Sequence, residues 1–279
     1  MITAGIDKRL LQKRFSQNAK TYDQYANVQK TMAGKLMDLA LRAFPATGFH
    51  PPREFRILEI GCGTGFLTSQ LLRHFPNASI TAVDLAPGMI EIAKQRIAGE
   101  SVDFRVGDIE EMDLDGTYDL IISNATFQWF NQLPLTVKRL FDVLGQQGVL
   151  LFSTFGPRTF EELHASFELA QQRFGLPDQE RPGQSFYSSS ELKKRVADAL
   201  DPSDYQIEHS ESLEVERFHS VRDFLTSVKK IGASNSNAGP HCQRPGVMKA
   251  MIAIYDRQYR EEDTIPATYH AIFIKIGKL

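Results

Sequence analysis

Cysteine and histidine are too sparse and too scattered in this 279-residue chain to build a disulfide framework or a metal site. The two cysteines, Cys62 and Cys242, show no C-x-x-C spacing, and the seven histidines include no H-x-x-x-H pair. We therefore expect neither a disulfide nor a bound metal. Long apolar runs are also missing, since runs such as residues 148–152 have the length of a strand and not of a membrane span. Charges near the N-terminus stand where a signal peptide needs an apolar core, so we expect a cytoplasmic protein.

The formal net charge of −2 conceals two basic segments. Residues 1–52 hold eight Lys or Arg against three Asp or Glu, residues 221–260 hold seven against two, and the remainder is therefore near −12. Such segments are typical either of a docking surface for a negatively charged partner or of solvated helix faces. Nucleic acid is the less attractive partner, because the pI of about 6.4 is far from that of a basic nucleic-acid binder.

Hydrophobic periodicity predicts an α/β fold of Rossmann type. Apolar residues recur at three- and four-residue intervals from residue 6 to residue 43, which indicates an N-terminal helical cap, and a Pro/Gly-rich linker follows it. From residue 56 short apolar strands alternate with helical segments, the order typical of a largely parallel, seven-stranded sheet with helices on both faces. We expect strands at 56–60, 79–84, 102–106, 118–123, 148–154, 206–218 and 268–276, and helices at 65–74, 87–97, 133–144, 158–174 and 188–200.

The segments between these elements define the predicted domain organisation. Gly145-Gln146-Gln147-Gly148 is expected to be a turn before the fifth strand, and Ser188-Ser189-Ser190-Glu191 has the spacing of a capping box. We predict a helical cap over residues 1–52 and a main domain over residues 53–279. Residues 156–190 and 221–260 are expected to be insertions on the substrate side of that domain, the second one broken at residues 235–240.

The glycine-rich run after the first strand, Glu59-Ile60-Gly61-Cys62-Gly63-Thr64-Gly65, predicts a nucleoside-cofactor site. The glycines let the backbone turn tightly beneath a ligand, and Asp84, at the end of the second strand, can accept hydrogen bonds from both hydroxyls of a ribose. The spacing is G-x-G-x-G and not that of dinucleotide folds, and the carboxylate of Glu59 would repel a pyrophosphate. A cationic ligand such as S-adenosylmethionine would tolerate it. A glycine-rich turn without a ligand is the alternative.

Two further positions fit an adenosyl group. Asp108, directly after the third strand, can accept a hydrogen bond from the amino group of an adenine. Met89 can cover the adenine face, although a methionine at helical spacing is more often part of the core.

The segment after the fourth strand, residues 124–130, should face the transferable methyl group, because ligands of open α/β sheets bind at the carboxyl ends of the strands. Asn124, Gln128 and Trp129 could hydrogen-bond a substrate, or two of the three could satisfy loop backbone. The N/D-P-P-Y pattern of many nitrogen methyltransferases is absent here. No catalytic triad or metal cluster is apparent, and a carboxylate acceptor would need neither, since it is already ionised at neutral pH.

Several segments together resemble the malonyl-acyl-carrier-protein O-methyltransferases of biotin synthesis, the BioC family. The likeness covers essentially the whole chain, and the Gln128-Trp129 loop and the Ile231-Gly232-Ala233 segment make it specific. The segments that carry it are Lys8…Phe15…Ala19…Tyr22-Asp23-Gln24…Ala26…Gln29, residues 59–65, residues 123–129, residues 152–156 with 159–163, residues 229–233, and Thr268-Tyr269-His270.

The resemblance implies a class I methyltransferase fold, S-adenosylmethionine as cofactor and the free carboxylate of malonyl-acyl carrier protein as acceptor. The basic segments then become candidate docking surfaces for that acidic carrier protein. For the acceptor it implies Tyr22, Gln128 and Trp129, with Lys229 or Arg14 as the nearby cation. The implied cofactor-binding residues are Gln29, Glu59, Gly61, Gly63, Gly65, Asp84, Leu85, Met89, Asp108, Ile109 and Asn124. Carboxyl methylation of a free small acid, as by trans-aconitate methyltransferases, and non-catalytic cofactor binding remain the alternatives.

Overall fold

A seven-stranded sheet forms the centre of the protein and confirms the predicted Rossmann-like class. The structure is a computed structural model that describes residues 5–45, 54–176, 183–233 and 244–279. The strand order is β3-β2-β1-β4-β5-β7-β6. β1 to β5 pair in parallel, whereas β7 pairs antiparallel with both β5 and β6. The strands are β1 (Arg56–Ile60), β2 (Ser79–Asp84), β3 (Val102–Val106), β4 (Tyr118–Ser123), β5 (Leu144–Phe155), β6 (Tyr205–Phe218) and β7 (Ile265–Lys278).

Helices cover both faces of the sheet. One core contains buried side chains of α2, α3, α6, α8 and α9, and the other those of α5 and α7, so the central strands are buried on both sides. The helices are α1 (Lys8–Tyr25), α2 (Asn27–Ala43), α3 (Phe66–His74), α4 (Pro87–Arg96), α5 (Leu133–Asp142), α6 (Glu161–Arg173), α7 (Ser189–Ala197), α8 (Val221–Lys230) and α9 (Pro245–Tyr259), with a single 3-10 turn at Phe127–Trp129.

The N-terminal helical region is two helices. The side chain of Asp7 caps the start of α1 by accepting a hydrogen bond from Leu10 N. α1 stops at Ala26, whose ψ of 41° is not helical, and α2 begins at the next residue. The two helices contact different elements, because α1 packs on α4 and α8, whereas α2 packs on α3 and β5.

The bounds predicted for β1 to β4 are confirmed, but the prediction for the residues just before β5 is wrong. α5 ends at Asp142, two residues early, and Leu144 already pairs with Tyr118. The next pair is Leu120 with Val149, so the residues predicted as a turn form an irregularity inside the strand. Gln147 there has a φ of 61°.

In the C-terminal half the predicted capping box at the start of α7 is confirmed, since Ser188 Oγ accepts from Glu191 N and Glu191 Oε2 accepts from Ser188 N. α6 starts at residue 161, after Phe160 has taken a φ of 60°. The predicted linker at 46–52, the break at 235–240 and Cys242 lie outside the described residues. Within the described ranges no helix is long and apolar enough to cross a membrane.

Candidate active site

The glycine turn after β1 places backbone where side chains cannot fit. Gly61, Gly63 and Gly65 have φ values of 69°, 54° and 79°. Val83 O accepts hydrogen bonds from the amides of Gly61 and Cys62, which ties the turn to β2. A Cβ on Gly61 would lie 2.0 Å from Thr126 Oγ1, whereas a Cβ on Gly63 would meet nothing within 4 Å. The turn therefore exposes bare backbone at Gly63 and packs tightly at Gly61.

A cavity lies at the carboxyl ends of the parallel strands, and we name it the strand-end cavity. One wall comes from the strand ends and the loops that follow them, and α1 supplies the opposite wall. The predicted cofactor-binding residues that line it are Gly61, Gly63, Asp84, Leu85, Met89, Asp108, Ile109 and Asn124, and the wall from α1 consists of Lys8, Leu11, Gln12, Phe15 and Tyr22.

Asp84 is held in place by two backbone amides. Its Oδ2 accepts from Gly63 N and its Oδ1 from Ala86 N, both at 2.8 Å. Burial raises the pKa of the Asp84 carboxyl to about 6, and these two hydrogen bonds partly oppose the rise. The group is therefore mostly a carboxylate at neutral pH, fixed beside the glycine turn, with the acceptor capacity that a pair of ribose hydroxyls requires.

The far end of the strand-end cavity combines one hydrogen-bond acceptor, Asp108, with apolar walls. Asp108 lines it while holding an ion pair of 3.0 Å with Lys8 Nζ. Met89, Leu85 and Ile109 provide the apolar surface, and Met89 is itself packed against α1 in a small core with Ala19. This combination fits a planar heterocycle that carries an amino group.

Glu59 and Gly65, both predicted to bind the cofactor, do not belong to the lining of the strand-end cavity. Glu59 is 1% exposed and lies beside Thr68 of α3, on the face of β1 that it shares with Ile57. Burial raises the pKa of its carboxyl to about 8, so it is mostly protonated at neutral pH and places no negative charge in the cavity. Gly65 permits close packing, since a Cβ there would lie 3.2 Å from Ala93 of α4.

A second cavity opens on the other side of the Trp129 loop (residues 124–132), and we name it the aromatic cavity. Residues of β5, β7, α6 and α8 surround it. Exposed Lys229 belongs to its lining and therefore lies at its mouth. Its lining includes Gln29, Gln128, Trp129, Phe155, Phe160, Leu163, Gln184, Phe186, Leu225, Lys229 and Tyr269. Gln29, predicted to bind the cofactor, thus belongs to this cavity and not to the strand-end cavity.

Trp129 is part of the lining of both cavities. Its ring meets Phe15 of α1 edge-on, with 6.0 Å between the ring centroids. No described residue accepts a hydrogen bond from its indole Nε1. The ring therefore forms part of the partition between the two spaces and carries a donor available to a ligand.

Asn124 and Gln128 have their side chains engaged by the protein. Asn124 Nδ2 donates to Gln29 O, and Asn124 Oδ1 accepts from Ser153 Oγ. Gln128 Nε2 donates to Ala125 O at 2.6 Å, and its Oε1 accepts from Thr154 Oγ1 at 3.0 Å. Gln128 therefore helps to shape the Trp129 loop, and its direct contact with an acceptor stays a prediction.

Tyr22 lines the strand-end cavity and not the aromatic cavity in which a substrate contact would place it. Burial and the neighbouring charges of Asp84 and Asp23 raise the pKa of its hydroxyl, so that it stays protonated. Sequence reasoning assigned no cavity role to Lys8, Leu11, Gln12 and Phe15. An amphipathic helix signals which face is buried, and it does not signal that the buried face closes a cavity.

Known proteins share this architecture. A protein-family model described as a methyltransferase domain matches residues 57–148. The YcgJ protein from Bacillus subtilis has a TM-score of 0.56 at 18% identity, covering 88% of this chain and 98% of that one. The plantazolicin methyltransferase BpumL in complex with SAH has a TM-score of 0.53 at 17% identity, covering 96% and 94%. At these identities the similarity concerns the fold alone.

Relatives of much higher identity match along the whole chain. The malonyl-[acyl-carrier protein] O-methyltransferase of Priestia megaterium is 49% identical over 276 residues, which is 98% of both chains. That of Anoxybacillus flavithermus is also 49% identical over 276 residues, covering 99% of this chain and 100% of its own. With a methyltransferase fold and this identity over its full length, the chain belongs to the malonyl-[acyl-carrier protein] O-methyltransferase family.

Proposed function

We propose that this protein transfers the methyl group of S-adenosylmethionine to the free carboxylate of a malonyl group carried on acyl carrier protein, in the cytoplasm and as an early step of biotin synthesis. The position of Trp129 between two cavities carries the proposal. A methyl transfer needs a donor space and an acceptor space that meet at the reacting atoms.

The strand-end cavity fits the cofactor. Asp84 would hold the ribose hydroxyls, Asp108 the adenine amino group, and Met89, Leu85 and Ile109 the adenine faces. Gly63 would let the ligand approach the backbone, since nothing occupies the space where its side chain would be. When bound, S-adenosylmethionine supplies an electrophilic methyl group on a sulfonium, for transfer to the carboxylate without any proton exchange.

The aromatic cavity fits a carrier-bound acyl group. The malonyl carboxylate needs no base, because it is ionised at neutral pH. It does need alignment with the methyl group and removal of the water that weakens it as a nucleophile. The apolar lining excludes water, and the unpartnered indole N–H of Trp129 can orient the carboxylate at the partition. Lys229, at the mouth, attracts the anionic substrate without pairing tightly with the reacting oxygen.

The surface around the aromatic cavity suits an acidic partner protein. Within the described residues Lys229, Lys230 and Lys249 are exposed and take part in no ion pair. The two basic segments of the sequence meet nearby, since Gly232, just after α8, packs against the backbone of α1 with a Cβ position 3.3 Å from Phe15 N. We propose that the described parts of the two predicted insertions, residues 156–176, 183–190, 221–233 and 244–260, contribute to the cover through which the acyl chain enters.

One labelling experiment tests the acceptor. Malonyl-carrier protein, malonyl-coenzyme A and free malonate are each offered with methyl-labelled cofactor, and we expect label on the carrier-bound malonyl group. Label on free acids alone would favour a small-acid methyltransferase. No label on any of the three, with S-adenosylhomocysteine still bound, would favour a non-catalytic cofactor-binding protein.

Charge reversal tests docking. The double variant Lys230→Glu and Lys249→Glu, which leaves Lys229 of the cavity lining in place, should raise the KM for malonyl-carrier protein about tenfold or more and that for malonyl-coenzyme A much less. Lys94→Glu with Lys194→Glu, on α4 and α7, is the matched control and should change neither KM. An equal rise for both acceptors in the first variant would contradict a docking face.

A further inference from the structure

The N-terminal segment is fastened across the strand-end cavity to the residues that follow Trp129. Ile6 N donates to Asn131 Oδ1 at 2.7 Å, and Asn131 Nδ2 donates back to Ile6 O at 3.1 Å. Asn131 is only two residues after Trp129. The first residues of the described chain are therefore joined directly to the Trp129 loop.

A second and stronger connection runs through Glu110. Its carboxylate is 5% exposed and forms an ion pair with Lys8 Nζ at 2.7 Å. The same carboxylate accepts from Asn131 N at 2.9 Å and from Gln132 N at 2.6 Å. A cation of α1 and the amides that end the Trp129 loop thus share one buried anion. These amides open α5, where the positive end of the helix dipole further stabilises a carboxylate.

The segment that carries Glu110 is itself fixed from behind. Arg139 of α5 donates to Ile109 O at 3.1 Å and to Glu110 O at 2.6 Å. Its second terminal nitrogen donates to Met112 O. Residues 109–112 are therefore a rigid support, and displacement of Lys8 changes the balance of charge at Glu110 without moving Glu110 away from α5.

Lys8 connects the same anion to the adenine end of the cavity. It lines the strand-end cavity, pairs with Asp108 as well as with Glu110, and lies over the Phe130 ring with 5.6 Å to the centroid. A ligand beneath α1 contacts this helix and Asp108 together. It therefore favours the arrangement in which Lys8 is seated between Asp108 and Glu110.

We propose that Glu110 is a positioning residue for methyl transfer. Through Lys8, it connects closure of α1 over the cofactor to the placement of Trp129 at the aromatic cavity. The enzyme then binds its acceptor more tightly with the cofactor in place than without it. Thermodynamic linkage requires the reverse effect to be equal. A coupling of this kind is commonly about 5- to 150-fold in affinity.

Trp129 provides the readout, because it is the only tryptophan in the chain. In the full-length protein loaded with S-adenosylhomocysteine, acrylamide should quench its fluorescence at least about twofold more strongly in Glu110→Gln and Lys8→Gln than in the wild type. The KM for malonyl-carrier protein should rise at least about fivefold in both variants, while in Glu110→Gln, whose residue does not line the strand-end cavity, the Kd for S-adenosylhomocysteine changes less than about threefold.

Lys138→Gln is the matched control, because it removes an exposed ion pair with Asp142 on α5 that has no connection to α1. It should leave quenching and KM unchanged. If Glu110→Gln fails to fold, the result for Lys8→Gln alone tests the proposal, since this variant leaves the hydrogen bonds from α5 to Glu110 intact. Quenching and KM equal to those of the wild type in the variants that fold would overturn the proposal, whatever the melting temperatures. Only the KM arm rests on the proposed function, and the quenching arm remains decisive if malonyl-carrier protein is not a substrate.

Discussion

Gly61 and Thr126 touch so closely that the first has no room for a side chain: a Cβ on Gly61 would lie 2.0 Å from Thr126 Oγ1. The contact joins the glycine turn after β1 to the loop that carries Trp129. Each side of the strand-end cavity thus sets the position of the other.

Gly61→Ala should therefore abolish cofactor binding as well as destabilise the fold. The alanine must adopt a φ near 69°, at a cost of roughly 1–2 kcal/mol, and in addition must push Thr126 away. Isothermal titration with S-adenosylhomocysteine checks the loss of binding. Gly99→Ala, at a φ of 95° with nothing within 4 Å of its Cβ position, is the control and should bind normally. Normal cofactor binding by Gly61→Ala would contradict this prediction and show that Thr126 and its loop can move aside.

Trp129→Phe should lower turnover about 10- to 100-fold while the Kd for S-adenosylhomocysteine stays within about twofold. The phenyl ring can keep the contact with Phe15, but the variant loses the indole N–H, for which no described residue is an acceptor, and a hydrogen bond to a charged group contributes roughly 1.5–3 kcal/mol. Steady-state kinetics with malonyl-carrier protein measures the effect. Tyr187→Phe, which removes a hydroxyl from an exposed aromatic residue, should leave turnover unchanged.

Cofactor affinity should weaken on acidification with a midpoint set by Asp84. The pKa of this carboxyl is about 6, and only the carboxylate accepts hydrogen bonds from both ribose hydroxyls. Between pH 8 and pH 5 the Kd for S-adenosylhomocysteine should rise about tenfold. Asp84→Asn should bind weakly at every pH and show no such dependence. A wild-type affinity that is flat over this range would remove Asp84 as the titrating group.

Stability should fall as pH rises from 7 to 9, because of Glu59. Its folded-state pKa of about 8 lies above the usual glutamate pKa of 4.5, so the folded protein binds a proton that the unfolded chain has released. The stabilisation is complete below pH 4.5 and is lost as pH rises through 8, which amounts to about 1.4 kcal/mol between pH 7 and pH 9. Urea unfolding at several pH values measures it. Glu59→Gln, neutral throughout, should remove this part of the dependence, and an unchanged slope would contradict the assignment.

Gln147→Gly should stabilise the protein, although it puts a glycine into a strand. Gln147 is exposed and has a φ of 61°, a conformation that costs a side-chain-bearing residue roughly 1 kcal/mol and glycine very little. We expect a melting temperature about 1–3 °C higher. Gln146→Gly, beside it and without a positive φ, should lower the melting temperature instead, and equal shifts in the two variants would refute the explanation.

Periodicity was sufficient for the fold because the first four strands are short, apolar and bounded by clear turns. It failed before β5, where Gly145 and Gly148 signal a turn but the chain keeps its pairing with β4 through an irregular register. Pairing is a tertiary interaction, and turn-forming residues do not exclude it.

The candidate site, like the fold, could be predicted from the sequence only in part. The place of Asp84 at the strand-end cavity could be predicted from its position at the end of β2. The tight backbone turn at the glycines could be predicted from their spacing. The burial of Glu59 away from the cavity could not be predicted, because a motif fixes the order of residues in the chain but not the face of β1 on which a side chain lies. That Trp129 borders two cavities follows from how α1 and α6 approach the sheet, which no local pattern encodes.

The strand order sets a sequence for assembly of the protein. β6 joins the sheet through β7, which comes later in the chain and lies between β5 and β6. The five parallel strands, which carry the strand-end cavity, can pair without either. The aromatic cavity includes Tyr269 of β7 and is incomplete until that strand is inserted. Pairing at such long sequence separation is slow, so we expect a newly made chain to complete the strand-end cavity before the aromatic cavity.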